Sequence, residues 1–369
     1  MLEASQILDE FPGDMGLLLW QTLRDVTLWA SVPEERQPGL FGADAAERRM
    51  RLLHAAGAEP AVEISLTALT AMVGNPVDAR PELVGLLCLQ ISHWAEARGA
   101  LATALSYAQA GALADPEDPG PAFSVGTLAM RWRRHTRAET WLRRSIGLAR
   151  RAREWETYAE AYVEMGALYA RRADYGTAHG HYVQALRATR RHGLMSIRGA
   201  ALHGMLLLAM ESGALEDAER YARGAKRAYG RGHPRLGELS HDAAYLWVTR
   251  GSHTRAIPVL ERLLSSRVEP VERAFTLSVL ARAAAGAADT QRYLGAWSDA
   301  WSLVRGRAGE EVRHAQTLLE LARAAAAFRD RVHLDQAARL ALEVATRQNQ
   351  PAVAAEIEQL FASLRRPVG

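Results

Sequence analysis

The chain of 369 residues has one cysteine, one lysine and no long apolar run, and each scarcity closes off a class of protein. With Cys88 as its only thiol the chain cannot form an internal disulfide. Cys88 lies on an apolar stripe with Leu86, Leu87 and Ile91, which predicts a buried small hydrophobe and not a nucleophile. No apolar stretch approaches the ~20 residues that span a bilayer. The opening MLEASQILDEFPGD is acidic where a secretory signal is basic and then apolar, so a cytoplasmic protein is expected. Runs with two-residue alternation are missing, which predicts a chain without strands. Phosphate-loop, dinucleotide-binding, zinc-helix and serine-elbow motifs are all lacking, so neither an enzyme nor a bound cofactor is expected.

What the sequence does contain is a helical-hairpin unit. It is clearest at Tyr162-x2-Met165-Gly166-x2-Tyr169, followed by Ala178-x3-Tyr182-x2-Ala185. Large residues sit at helical spacing there, and small ones fall where two helices must cross closely. Pairs twelve residues apart recur at Cys88/Ala100, Gly126/Ala138, Gly166/Ala178, Leu206/Ala218 and Ala244/Ala256, with the second members 38 to 40 residues apart. Only Leu206 breaks the small-residue rule. A unit recurring at this period implies hairpins that each touch only their neighbours and build one continuous core.

The unit resembles the tetratricopeptide repeat, with tyrosine where that family often has tryptophan and methionine where it often has leucine. The resemblance implies an all-α fold, a right-handed α-solenoid of stacked helical hairpins. The pitch exceeds the family's usual 34 residues and the closing proline is mostly missing, which suggests lengthened second helices as in sensor-type arrays of bacterial signalling proteins.

Three regions are expected. Residues 1–80 hold helical segments near 14–31, 44–57 and 60–73 without the repeat signature, and form an atypical or capping region. Residues 81–305 carry the hairpins, with DPEDPGP at 115–121 as an inter-repeat turn. Residues 306–369 continue with helices at 316–328, 334–346 and 351–364, the last a cap over the apolar end.

Charge is divided along the chain. Residues 1–120 hold 7 arginines against 17 acidic residues, a net of −10, so that within a total of +3 the remainder carries +13. Opposite signs in one chain make self-association conceivable. The basic excess peaks between Arg131 and Arg153, where Trp132 and Trp141 are interleaved and Trp155 follows. Such a stripe can bind nucleic-acid backbones. However, with 44 arginines to 1 lysine, arginine is simply this chain's default cation, and a solvated face or an acidic protein partner explains the stripe better.

Candidate chemistry is sparse. His179 and His181 are two apart on a helix and point in different directions, so they do not make a metal site. His192-Gly193 reads as a helix stop, and Glu310-Glu311 as a helix start favoured by the dipole.

By the resemblance, the first helix of each hairpin lines the ligand-binding face. Carried over unit by unit, that face holds Phe123, Met130 and Arg131; Glu160, Val163 and Arg171; His203, Leu207 and Met210; and His241 and Tyr245. It would suit a protein or peptide partner with apolar side chains and an acidic group. The expected function is a non-catalytic scaffold or adaptor. The alternatives are a peptide-sensing regulator of a partner and, behind it, nucleic-acid binding through residues 131–153.

Overall fold

The computed structural model describes residues 2–266, 270–305 and 313–365; the Glu310-Glu311 pair lies outside them. Every regular element among these residues is helical, and no strand occurs. The chain forms two compact units, Met1–Gly204 and Met205–Gly369.

In the first unit, α1 (Leu2–Glu10), α2 (Asp14–Ser31), α3 (Ala45–Ala56) and α4 (Pro60–Gly74) precede the hairpins α5/α6 (Pro81–Ala97, Leu101–Ala114), α7/α8 (Pro119–Arg131, His135–Ala152) and α9/α10 (Trp155–Arg171, Tyr175–His192). Proline occupies the first turn of α4, α5 and α7, where its missing N–H costs nothing. The N-terminal region is built onto the first hairpin. The Glu10 carboxylate accepts from the backbone N–H of Ala102 (2.9 Å) and of Thr103 (2.8 Å), and so caps α6, whose own N-cap residue Ala100 has no capping side chain. The Tyr107 hydroxyl donates to the Leu19 carbonyl at 2.8 Å. Cys88 is fully buried and its thiol is pushed up to about 12 by burial, which makes it inert. Leu86, grouped with it by sequence, is instead 50% exposed.

The helix α11 (Met195–Glu211) leads into the second unit, which continues with α12 (Leu215–Tyr229), α13/α14 (Leu236–Thr249, His253–Leu264), α15/α16 (Pro270–Gly286, Thr290–Val304), α17/α18 (His314–Phe328, Arg331–Arg347) and α19 (Pro351–Arg365). The helix α19 packs on α17 and α18.

One backbone device closes each hairpin. Its first helix ends on a residue with positive φ: Gly99, Arg133, Ala173, Gly213, Gly251, Ala288 and Arg329 in turn, 34 to 41 residues apart. The next residue donates its N–H back to the first helix, as Asp174 does to Tyr169 O (3.0 Å) and Asp289 to Ala284 O (2.9 Å). That same aspartate then caps the second helix, Asp174 accepting from Thr177 N–H at 3.1 Å and Asp289 from Arg292 N–H at 3.0 Å. Two residues thus stop one helix and start the next.

Within a hairpin the small residue is filled from sixteen positions later, not twelve. The Leu142 side chain occupies the space at Gly126, and the Tyr182 ring lies 2.7 Å from where a Cβ on Gly166 would stand. Tyr182 also presses on Gly204, so its ring is wedged between α9 and α11. Leu206, fully buried, has the small Ala222 at the corresponding place. Large and small have changed sides, which restores the small-residue rule that Leu206 breaks.

No helix among the described residues is long and apolar enough to cross a membrane.

Candidate functional site

The residues expected on the first-helix face separate into three groups. Arg131, Arg171 and Leu207 are exposed, and Phe123, Glu160, Val163, Met210, His241 and Tyr245 are half-buried. Met130 and His203, each 3% exposed, are not on a ligand-accessible face. Met130 is the last buried residue of α7 and packs with Ala138, Leu142 and Met165 of the following helices. His203 lies on a stretch of α11 where Ala201 and Met205 are buried as well, so that helix is enclosed on more than one side.

In the first unit the face is more acidic than the arginines suggest. The Arg131 guanidinium is already paired with Glu96 of the preceding hairpin. On α9, Glu156, Glu160 and Glu164 follow one another at four-residue spacing and so form one ridge. Burial raises the Glu160 pKa above the usual carboxylate range, and the negative charges of Glu156 and Glu164 raise it further. On α8, Glu139 accepts from Arg172 (2.7 Å), Tyr169 (2.8 Å) and Arg143 (2.8 Å), and these bonds hold its pKa down to about 2.

In the second unit the first helices are joined by a carboxylate. Glu320 on α17 is completely buried. It accepts from the Tyr245 hydroxyl of α13 (3.0 Å), from Arg282 of α15 (2.9 Å) and from Arg323 of its own helix (2.5 Å). Arg323 also pairs with Glu356 of α19. Burial pushes the Tyr245 phenol up to about 12, with the Glu320 charge adding to it. Burial works against the Arg323 cation, yet its pKa stands above the ordinary value because Glu320, Tyr245 and Glu356 surround it. Phe275 lies beside this network, with the His241 ring 5.2 Å away and the Arg313 guanidinium 5.4 Å above it. Glu320, Arg282 and Arg323 escaped the sequence reading. Their signal was a single acid inside the apolar stretch LLELARAAAAF, where a charge has no reason to be unless it is paired.

The tryptophans of the basic stripe are used in packing. Trp132 and Trp141 lie against the N-terminal core, and the Trp155 ring stacks on His192 at 4.5 Å. His181 stacks on Tyr169 at 5.2 Å, whereas His179 is exposed, as two positions on one helix require.

No family model and no curated protein sequence matches the chain. Solved structures do. Apo RapI superposes with a TM-score of 0.58 at 9% identity, covering 90% of this chain and 99% of that one. The apo quorum sensor NprR from B. thuringiensis gives 0.59 at 12% identity, covering 90% and 98%. A Rap protein complexed with competence and sporulation factor gives 0.54 at 10% identity, covering 92% and 99%. The fold is that of the tetratricopeptide-type helical repeats. In this tetratricopeptide-type array the strand-free hairpins, the one-per-hairpin left-handed turn and the small-for-large exchange at the crossings are the structural content of the repeat that the sequence displays.

Proposed function

We propose that this chain is a non-catalytic binding protein that holds a peptide or a segment of a partner protein along the face of its first helices. The observation that carries the reading is the completely buried Glu320, which ties three successive first helices together through Tyr245, Arg282 and Arg323. An apolar seam would pack these helices as well or better, because a buried ion pair rarely repays the desolvation of its charges. A polar seam on this face therefore answers a need other than stability: it fixes the positions of arginine and tyrosine groups beside Phe275 and His241. The likeness to a Rap conjugation gene regulator solved in complex with the Phr* peptide supports the same reading at the level of fold.

The partner's chemistry follows from the face. In the first unit an apolar side chain suits Phe123 and an acidic group suits the exposed Arg171, and in the second unit apolar side chains suit Leu207 and Met210. A basic group suits the Glu156–Glu160–Glu164 ridge, which the sequence reading of the partner did not include. In the finer form of the proposal the ligand is a signalling peptide whose binding changes the affinity for a second protein.

The test is capture of partners on the full chain from its native cell, followed by affinity measurements with Tyr245→Phe, Arg282→Gln and Arg171→Ala proteins that melt normally. Weakening by about tenfold in at least one of them is expected, since a charge-assisted hydrogen bond is worth ~1.5–3 kcal/mol. Unchanged affinity in all three removes the first-helix face from the function. Release of one captured protein on adding the peptide supports the finer form, and simultaneous binding without mutual effect rejects it.

A further inference from the structure

A cavity of about 260 Å³ opens between α8, α9 and α10, lined among others by Arg143, Gly147, Arg150, Tyr158, Tyr162 and His181. It lies on the far side of α9 from Glu160, because Tyr158 and Tyr162 each stand two residues from Glu160, about 200° around the helix. Its walls are aromatic: the Tyr158 and Tyr162 rings meet edge to face at 4.9 Å, and His181 lies 5.8 Å from Tyr162. Its charge is positive. Arg143 is spent on Glu139, but Arg150, seven residues on and therefore on the same face of α8, makes no ion pair among the described residues. Burial lowers the His181 pKa, with Arg143 contributing, against the opposing pull of Glu139 and Asp174, so that the ring is neutral near pH 7 and offers aromatic surface rather than charge.

Gly147 forms part of one wall of the cavity. It sits inside an 18-residue helix, where glycine weakens the helix relative to alanine. No packing demands it, since a Cβ there would meet nothing within 4 Å. What the missing side chain does provide is the open space of the cavity.

We propose that this cavity is a binding site for a small aromatic carboxylate, with the ring between Tyr158, Tyr162 and His181 and the acid group on Arg150. The volume of about 260 Å³ lies just below the range for small-molecule sites, ~300–1,000 Å³, and so encloses one ring with a short acid arm, any backbone attached to them lying outside the cavity. The guanidinium of Arg150 supplies paired donors to a carboxylate, and the tyrosine faces supply the stacking surface. The acid is either a free metabolite or the side chain of an acidic residue next to an aromatic one in a peptide.

The site is tested on the full chain by titration with phenylacetate, with the neutral phenylacetamide, and in a second arm with N-acetyl-phenylalanyl-aspartate amide. Phenylacetate is expected to bind about tenfold more tightly than phenylacetamide. Arg150→Gln should abolish that preference. Gly147→Leu should abolish binding of every probe while melting at or above the wild-type temperature, and Gly147→Ala, which a helix favours, should give a graded loss if the leucine protein does not fold. Tighter binding of the dipeptide than of the free acid assigns the site to a peptide, and the reverse order assigns it to a metabolite. Equal binding of the acid and the amide, binding untouched by filling Gly147, or no binding of any probe up to about 10 mM overturns the proposal. None of these results bears on the first-helix face, which does not include these side chains.

Discussion

The ring of Tyr182 is held between Gly166 and Gly204, and neither glycine can acquire a side chain without moving it. Gly166→Leu and Gly204→Ala should each cost ~1–3 kcal/mol by overpacking, read as a lower melting temperature. Gly166→Ala combined with Tyr182→Leu should recover part of the loss, because the smaller knob leaves room for the added methyl group. The sequence shows that Gly166 must be small but not which neighbour makes it so: Ala178 is closer in the pattern, yet Tyr182, one helical turn later, fills the space. A second prediction at this scale concerns Glu139. Its pKa falls from 4.5 to about 2 in the folded protein through bonds from Arg172, Tyr169 and Arg143. The stabilisation is therefore complete above pH 4.5 and is lost as pH falls toward 2. Glu139→Gln should flatten the dependence of melting temperature on pH in that window and leave it unchanged at pH 7 to 8. If wild type and variant lose stability in parallel on acidification, Glu139 is not the group responsible. The reverse sign holds for Glu160, whose raised pKa means that it takes up a proton sooner than an ordinary glutamate as the pH falls, which removes one charge from the α9 ridge. Binding of a basic peptide there should weaken accordingly.

Among the helices, the turns carry the most information. Three of the seven left-handed hairpin turns use glycine and four do not, although the backbone has positive φ at all of them. A Cβ in that conformation costs ~1–2 kcal/mol, so Ala173→Gly and Ala288→Gly should raise the melting temperature, whereas Gly213→Ala should lower it by a comparable amount. A drop on either alanine-to-glycine change would mean that the turn is held by contacts other than backbone geometry. Helix extents were legible where proline or aspartate marks a start: the segments expected at 14–31 and 60–73 are observed as Asp14–Ser31 and Pro60–Gly74. The helix α1 was not read, because its role depends on Glu10 reaching α6 some 92 residues away, and nothing local announces such a cap. Glu320 was hidden for the same reason, since its partners stand 38 and 75 residues off.

Over the whole chain, several acidic residues pair with an arginine about one repeat further on. Glu59 pairs with Arg98, Glu96 with Arg131, Glu117 with Arg151 and Glu139 with Arg172, and in the second unit Glu219 pairs with Arg255 and Glu261 with Arg292. These partners are 31 to 39 residues apart, and four of the bonds, Glu96–Arg131, Glu139–Arg172, Glu219–Arg255 and Glu261–Arg292, clamp one hairpin to the next. Exposed pairs contribute only ~0–1 kcal/mol each, but several acting together should make stability fall by a few degrees between about 0.05 and 0.5 M salt, where the screening length shortens from ~14 to ~4 Å. A melting temperature indifferent to salt would show that the clamps contribute nothing.

The left-handed turns have a further consequence, for how such a chain can change length. Arg133 and Ala173 occupy the same backbone conformation, and each is followed by a residue that opens a second helix. Excising residues 134–173 would therefore join Arg133 to Asp174 with the turn and the aspartate cap both in place. The splice would also bring Tyr182 to the position opposite Gly126 that Leu142 now fills, so that a large side chain would still meet a glycine. The chain is written in clauses of 34 to 41 residues that end on the same punctuation, and gene conversion or unequal crossing-over between them would lengthen or shorten the array without leaving a broken helix at the seam.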